Sequence, residues 1–309
     1  NLAMKACYRI KQAGFWQGKR HGHSIIYREM FLKVPITGFP SDKVLKTFVF
    51  DHSYRIRLPS REDWLTLGSS GVISDNYLRC YTDGSRMDGR SGAAVYFETG
   101  DHLSVSLSKW TTFFQGEVYA ILYCISDERV RNTNLEGFCI CSDRQAALKA
   151  LSLCVFTSRL VLECSKKLKE VSSLKDVLLV WVPGHKGIFG NKEVDRFAKI
   201  GASLLFIGPK TAVSVSSGTC LTSFQSWMAS QHSSLWMTTV GCRQSKMLIG
   251  GQDGEFSERV LCLSRTSLRQ LVGFLTGHSG LRKHLYTMGI MPDPFWRFVR
   301  RGTKHPYIL

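Results

Sequence analysis

The stretch Tyr77-Leu-Arg-Cys-Tyr-Thr-Asp83-Gly84-Ser85 decides the fold. Tyr77 to Thr82 reads as a strand, and Asp83-Gly84 at its end is a strong turn signal. Two more strands follow, Ala93-Ala-Val-Tyr-Phe and Leu103-Ser-Val-Ser-Leu, separated by Gly-rich and charged turns, so three strands at hairpin spacing come first. The pattern then alternates. A helix is predicted from about Phe113 to Glu128, a strand at Gly137 to Cys141, helices near Arg144–Leu151 and Ser158–Val171, a strand at Val177 to Trp181, and a helix from about Lys192. Three hairpin strands followed by alternating helix and strand predict an α/β fold: a five-stranded mixed sheet with helices on both faces.

Outward from this block the texture weakens. Residues 1 to about 75 are basic and irregular, with Gly18-Lys-Arg-His-Gly-His, a β-like Thr47-Phe-Val-Phe, and a helix-start signal at Pro59-Ser-Arg-Glu-Asp-Trp64. No complete core is read there, and 1–75 is taken as a connecting segment before a domain at 76–205. Beyond 205 a Ser-rich run, Thr211 to Ser217, reads as a linker, and the remainder to 309 as a mainly helical C-terminal region.

Composition narrows the partners. Lys+Arg of 41 against Asp+Glu of 24 gives +17, a surplus that suits a polyanion, and nucleic acid fits best. The ten cysteines include no Cys-x-x-Cys pair, which points to buried free thiols in a reducing, intracellular compartment. With no run of ~18 apolar residues, no membrane span is expected. The opening Asn1-Leu-Ala-Met-Lys carries neither an initiating Met nor a signal-peptide pattern, as expected of a piece of a longer polyprotein.

Four acids and one histidine carry the chemistry. Asp83 ends the first strand, although alone it would also read as an ordinary turn residue. Glu117 shares a helix face with Phe113, Ala120, Ile121 and Cys124, where an unpaired carboxylate is costly. Asp143 follows the apolar Gly137-Phe-Cys-Ile-Cys, with a helix N-cap as the alternative role. Asp195 opens a helix that continues with the small Ala198 and Ala202, and His185 lies in the Gly-rich loop upstream. A shared cluster of metal ions is the simplest neutraliser of so many acids.

Taken jointly, Tyr-Thr-Asp83-Gly-Ser, Gly116-Glu117, Ser142-Asp143 and Pro183-Gly-His185-x-Gly-x-x-Gly-Asn191-x-x-Val-Asp195 resemble the type 1 ribonuclease H family over about residues 77–205. The flanks, Pro59-Ser-Arg-Glu-Asp-Trp64 and Leu275-Thr-Gly-His278-Ser-Gly-Leu-Arg-Lys-His284-Leu-Tyr-Thr-Met-Gly, look like those around this domain in non-LTR retrotransposon polyproteins. The resemblance implies a ribonuclease H-like fold and hydrolysis of the RNA strand of RNA/DNA hybrids by two Mg²⁺ ions, with Mn²⁺ as substitute. Asp83, Glu117, Asp143 and Asp195 would be the metal ligands, and His185 would move protons. Gly84, Ser85, Gly116 and Gln145 would contact nucleic acid. An upstream reverse transcriptase is the implied partner.

The tail departs from the retrotransposon pattern. Trp296 and Val299 occupy positions where the first two Cys of a zinc motif are expected, so no zinc is expected, and His278 and His284 are read as structural. A rival reading follows: a catalytically silent nucleic-acid-binding relic, favoured by the missing reverse-transcriptase core and the lost zinc ligands.

Overall fold

The computed structural model describes residues 34, 36, 39–132, 134–184, 187–205, 213–251, 253–278 and 282–294. Its elements run β1 (Lys43–Phe48), β2 (Arg55–Arg57), α1 (Arg61–Val72), β3 (Tyr77–Met87), β4 (Arg90–Phe97), β5 (His102–Leu107), α2 (Phe113–Ser126), α3 (Glu128–Arg131), β6 (Gly137–Ser142), α4 (Gln145–Leu151), β7 (Val155–Ser158), α5 (Arg159–Ser172), β8 (Asp176–Trp181) and α6 (Phe189–Ser203). Five C-terminal helices follow: α7 (Ser217–Thr238), α8 (Arg243–Leu248), α9 (Gly254–Leu261), α10 (Arg265–Thr276) and α11 (Arg282–Thr287). The described residues fall into two compact units, one up to Phe224 and one from Gln225.

In the first unit the sheet order is β2-β8-β6-β3-β4-β5. β3, β4 and β5 pair antiparallel, while β3–β6, β6–β8 and β8–β2 are parallel, which makes the mixed sheet expected from the sequence. β6 is buried at every position, as a central parallel strand covered on both faces must be. One correction concerns the strand count: the sheet has six strands, not five. The sixth, Arg55-Ile-Arg, has no strand pattern of its own and exists by adding to the open edge of β8. A separate antiparallel pair joins β1 to β7.

Packing also crosses the position where the connecting segment was read to end. Tyr54, Trp64, Val72 and Ile73 are part of the main core, and the buried Tyr54 hydroxyl donates to Leu151 O at 2.8 Å. The Ser-rich run is likewise docked where it is described, with Val213 and Val215 buried. Its earlier part, and residues 1–33 with Gly18-Lys-Arg-His-Gly-His, lie outside the described residues.

Two of the helices that build this unit begin where a side chain takes a free amide. Thr112 and Gln115 form a reciprocal capping box at α2, and Ser158 accepts from Val161 N at α5. α2 and α5 pack on each other on one side of the sheet, and α6 covers β3, β4 and β5, with Ala198 and Ala202 buried.

The C-terminal unit is held differently. Gln244 and Ser245 side chains donate to Phe274 O and Leu275 O, and α10 ends at Gly277, whose φ of 78° closes the helix in the left-handed region. Leu268, Leu271 and Phe274 are half-buried, whereas Met288 is exposed. His278 and His284 meet edge to face, with ring centroids 5.2 Å apart. Leu281, Trp296 and Val299 lie outside the described residues.

Candidate metal centre and active site

Strand register brings the first two acids together. Thr82 is paired with Ser142 in the parallel β3–β6 ladder, so Asp83 and Asp143 each stand one residue past that pair, side by side. α2 supplies the third. Gly84 and Gly116 let it approach: a Cβ on Gly84 would lie 2.5 Å from Glu117 N and from Gly116 C, so a side chain there would push α2 off the strand. Asp83, Glu117 and Asp143 then each offer an oxygen within 4.8 Å of the others.

The trio is poorly solvated. Glu117 is 1% exposed and Asp83 9%. Both Glu117 carboxylate oxygens and Asp143 Oδ1 are buried without a hydrogen-bond partner of normal geometry. Arg144 is the nearest counter-charge, its Nε 3.3 Å from Glu117 Oε1 and 3.7 Å from Asp143 Oδ1, in ion-pair contact but unaligned for hydrogen bonding. Burial, reinforced by the charges of Asp143 and Asp195, pushes the Asp83 carboxyl up to about 6. Burial, and then Asp83 and Asp143, holds Glu117 well above the usual carboxylate range, with Arg144 opposing.

Asp195 lies at the rim. Its charge raises Asp83, but it does not join the three acids within 4.8 Å, and its carboxylate is bound by Lys199 Nζ at 2.6 Å. Gln145 is half-buried at the first position of α4, two residues past Asp143, and Ser85 is half-buried two residues past Asp83. His185 lies outside the described residues.

Two groups escaped the sequence reading. Arg144 was not singled out, although a base directly after a site acid is a signal in itself. The other is a pair of indoles: Trp181 Nε1 donates to Asp143 O at 2.9 Å, and Trp64 Nε1 donates to Trp181 O at 3.1 Å. This chain of donors fixes the main chain at Asp143 from a helix that precedes the strand block.

The donor set is entirely carboxylate oxygen. Three close acids, two of them buried, with unpartnered oxygens on Glu117 and Asp143, have the composition and spacing that suit a hard divalent cation, so the residues present fit such an ion. Among the described residues no helix is long and apolar enough to cross a membrane. Residues 75–203 match the family model described as RNase H, a stretch that contains all four acids and agrees with the observed mixed sheet and helices.

Proposed function

We propose that this chain hydrolyses the RNA strand of RNA/DNA hybrids, as the ribonuclease H module of a non-LTR retrotransposon polyprotein. The trio of carboxylates within 4.8 Å, two of them buried and three of their oxygens unpartnered, is the observation that carries the chemistry. Leaving such charges together without a cation would cost several kcal/mol per ion. Asp83, Glu117, Asp143 and Asp195 would hold two Mg²⁺ ions, or Mn²⁺. Asp83 feels the charges of both Asp143 and Asp195, which groups all four acids around one site. When bound, the ions supply the positive charge that favours a nucleophilic water and a leaving 3′ oxygen.

The protein's own residues do the rest. Buried walls around Glu117 and Asp83 keep their oxygens free of competing water. Arg144, 57% exposed, offsets part of the acid charge and is free to meet a backbone phosphate. His185, which follows Gly184 in the sequence, would take up and return a proton during turnover. Gln145 would read base edges and sugars in the wide minor groove, with Gly84, Ser85 and Gly116 offering backbone groups, so that 2′-hydroxyls on the RNA strand set the choice of substrate. The net charge of +17 supports a polyanionic partner. Pro59 to Trp64 and Leu275 to Gly289 support the retrotransposon setting, with reverse transcriptase upstream and an intracellular site of action.

Cleavage of labelled RNA/DNA hybrid in Mg²⁺, beside double-stranded RNA and DNA, tests the reading. Only the hybrid should be cut, leaving 5′-phosphate and 3′-hydroxyl ends. Asp83→Asn should reduce the rate by several orders of magnitude without unfolding the chain, because a neutral amide serves a divalent cation poorly. Equal cleavage of all three duplexes, or near-normal rates for Asp83→Asn, would refute it. Tight hybrid binding with no cleavage would instead identify the silent relic.

A further inference from the structure

The family match begins at 75 and ends at 203, yet segments beyond both limits meet at the foot of α2. Val215 N donates to Pro40 O at 2.9 Å, Asp42 N donates to Val215 O at 2.8 Å, and Ser41 pairs with Val215 as a parallel bridge. Val213, Val215 and Asp42 are buried. Gln115 reaches this clasp, its Nε2 donating to Ser214 O at 2.7 Å. The other end of the same amide, Oε1, accepts from Thr112 N at 3.1 Å and from Thr112 Oγ1 at 3.2 Å. Gln115 is 1% exposed and stands two residues before Glu117. The clasp has a second anchor in the Asp42 carboxylate, which accepts from Leu160 N at 2.9 Å and from Ser158 Oγ at 2.7 Å, at the start of the helix that packs on α2.

We propose that Gln115 is a positioning residue, through which the clasp of Pro40–Asp42 with 213–215 fixes the first turn of α2 and so the Glu117 carboxylate beside Asp83. This rests on reading the acids as metal ligands. A carboxylate whose oxygens have no hydrogen-bond partner takes its direction from the backbone that carries it, and here the Gln115 amide ties that backbone to the clasp. Only an amide serves, because the position needs a donor toward Ser214 O and an acceptor toward Thr112.

Two variants of the full chain separate these contacts. Gln115→Glu keeps the acceptor half, and with it the cap, but loses the donor to Ser214 O. Val215→Pro removes the N–H that holds Pro40 and leaves α2 unaltered. The readouts are hydrogen exchange at Gly116 to Tyr119, Mn²⁺ affinity by calorimetry, and kcat and KM on the hybrid. Each variant should exchange faster in the first turn of α2, bind Mn²⁺ about 10–100-fold more weakly, and lose kcat more than KM. The double variant should be no worse than the worse single one. Unchanged exchange and Mn²⁺ affinity in Val215→Pro, or additive losses in the double variant, would overturn the proposal. Should Val215→Pro fail to fold, Gln115→Glu decides by the same readouts. Exchange reports on the clasp whether or not the chain cleaves, so absence of hybrid cleavage in the unaltered protein would count against the proposed function alone.

Discussion

Helices α5 and α10 start alike and end in opposite surroundings. Each is capped by a serine, Ser158 accepting from Val161 N and Ser264 from Ser267 N. Yet α5 buries Leu160, Val161, Cys164, Leu168 and Val171, while α10 buries no residue. Caps and periodicity therefore decide where a helix lies along the chain, but not how firmly tertiary contacts hold it. In the unit up to Phe224 the helices share one core with the sheet. In the unit from Gln225, apolar faces are only half-covered among the described residues, and polar contacts such as Gln244 to Phe274 O carry more of the packing.

The contrast breaks most sharply under truncation of a leucine on each side. Leu148 is fully buried in α4, so Leu148→Ala should cost about 2–5 kcal/mol. Leu271→Ala, at a half-buried site in α10, should cost about 1 kcal/mol. Chemical denaturation followed by a probe in each unit measures both, and equal costs would mean that the C-terminal helices have a core of their own.

A pH titration of the metal-free protein sharpens the comparison from the other side, since the first unit contains acids that oppose its folding. Asp83 ionises near 3.8 when unexceptional and near 6 in the fold, so the native state holds more protons between those values. Stability from the protonated form is complete below about 3.8 and is lost as pH rises through about 6, a change of roughly 3 kcal/mol for this group. Glu117, shifted in the same direction, adds to it. The difference in melting temperature between the unaltered chain and Asp83→Asn isolates the effect. It should widen with pH across that window and shrink when Mg²⁺ is added. A difference that is flat with pH would remove the electrostatic account.

The smallest effect belongs to the rim. Lys199 and Asp195 form a half-exposed pair one helical turn apart, and Lys199→Ala should change stability by less than about 0.5 kcal/mol. It should nevertheless strengthen Mn²⁺ binding slightly by releasing Asp195. A large stability loss would place Lys199 among the structural residues of the first unit.

Much of the first unit was legible because its signals are local. The apolar run of β6 and the apolar stripe of α5 declare their elements without help from neighbours, and the observed limits fall within about two residues of those read, as is usual for element ends. The acids were legible for the same reason, each standing in its own short motif, although Asp83 is not at the strand end read for it: β3 runs on through Gly84 to Met87, paired with β4. β2 was not, since Arg55-Ile-Arg becomes a strand only by pairing with β8. The docking of 213–215 was not legible, because its contacts with Pro40, Asp42 and Gln115 are made by its main chain, which a Ser-rich composition does not announce. The ion pair between Asp195 and Lys199 was not legible either, a contact that opposite charges four residues apart allow but do not require.

The parallel register that sets Asp83 beside Asp143 also fixes when the site can exist. β3 and β6 are separated in the chain by two strands and two helices, and their ladder is a non-local pairing of the kind that forms slowly. Until it closes, the two acids belong to different parts of a fluctuating chain and offer a cation no common place. An ion taken up by these acids therefore acts on the finished fold: it slows unfolding and leaves the early climb of folding unchanged. The order of events is thus written into the strand order, with architecture first and cation second.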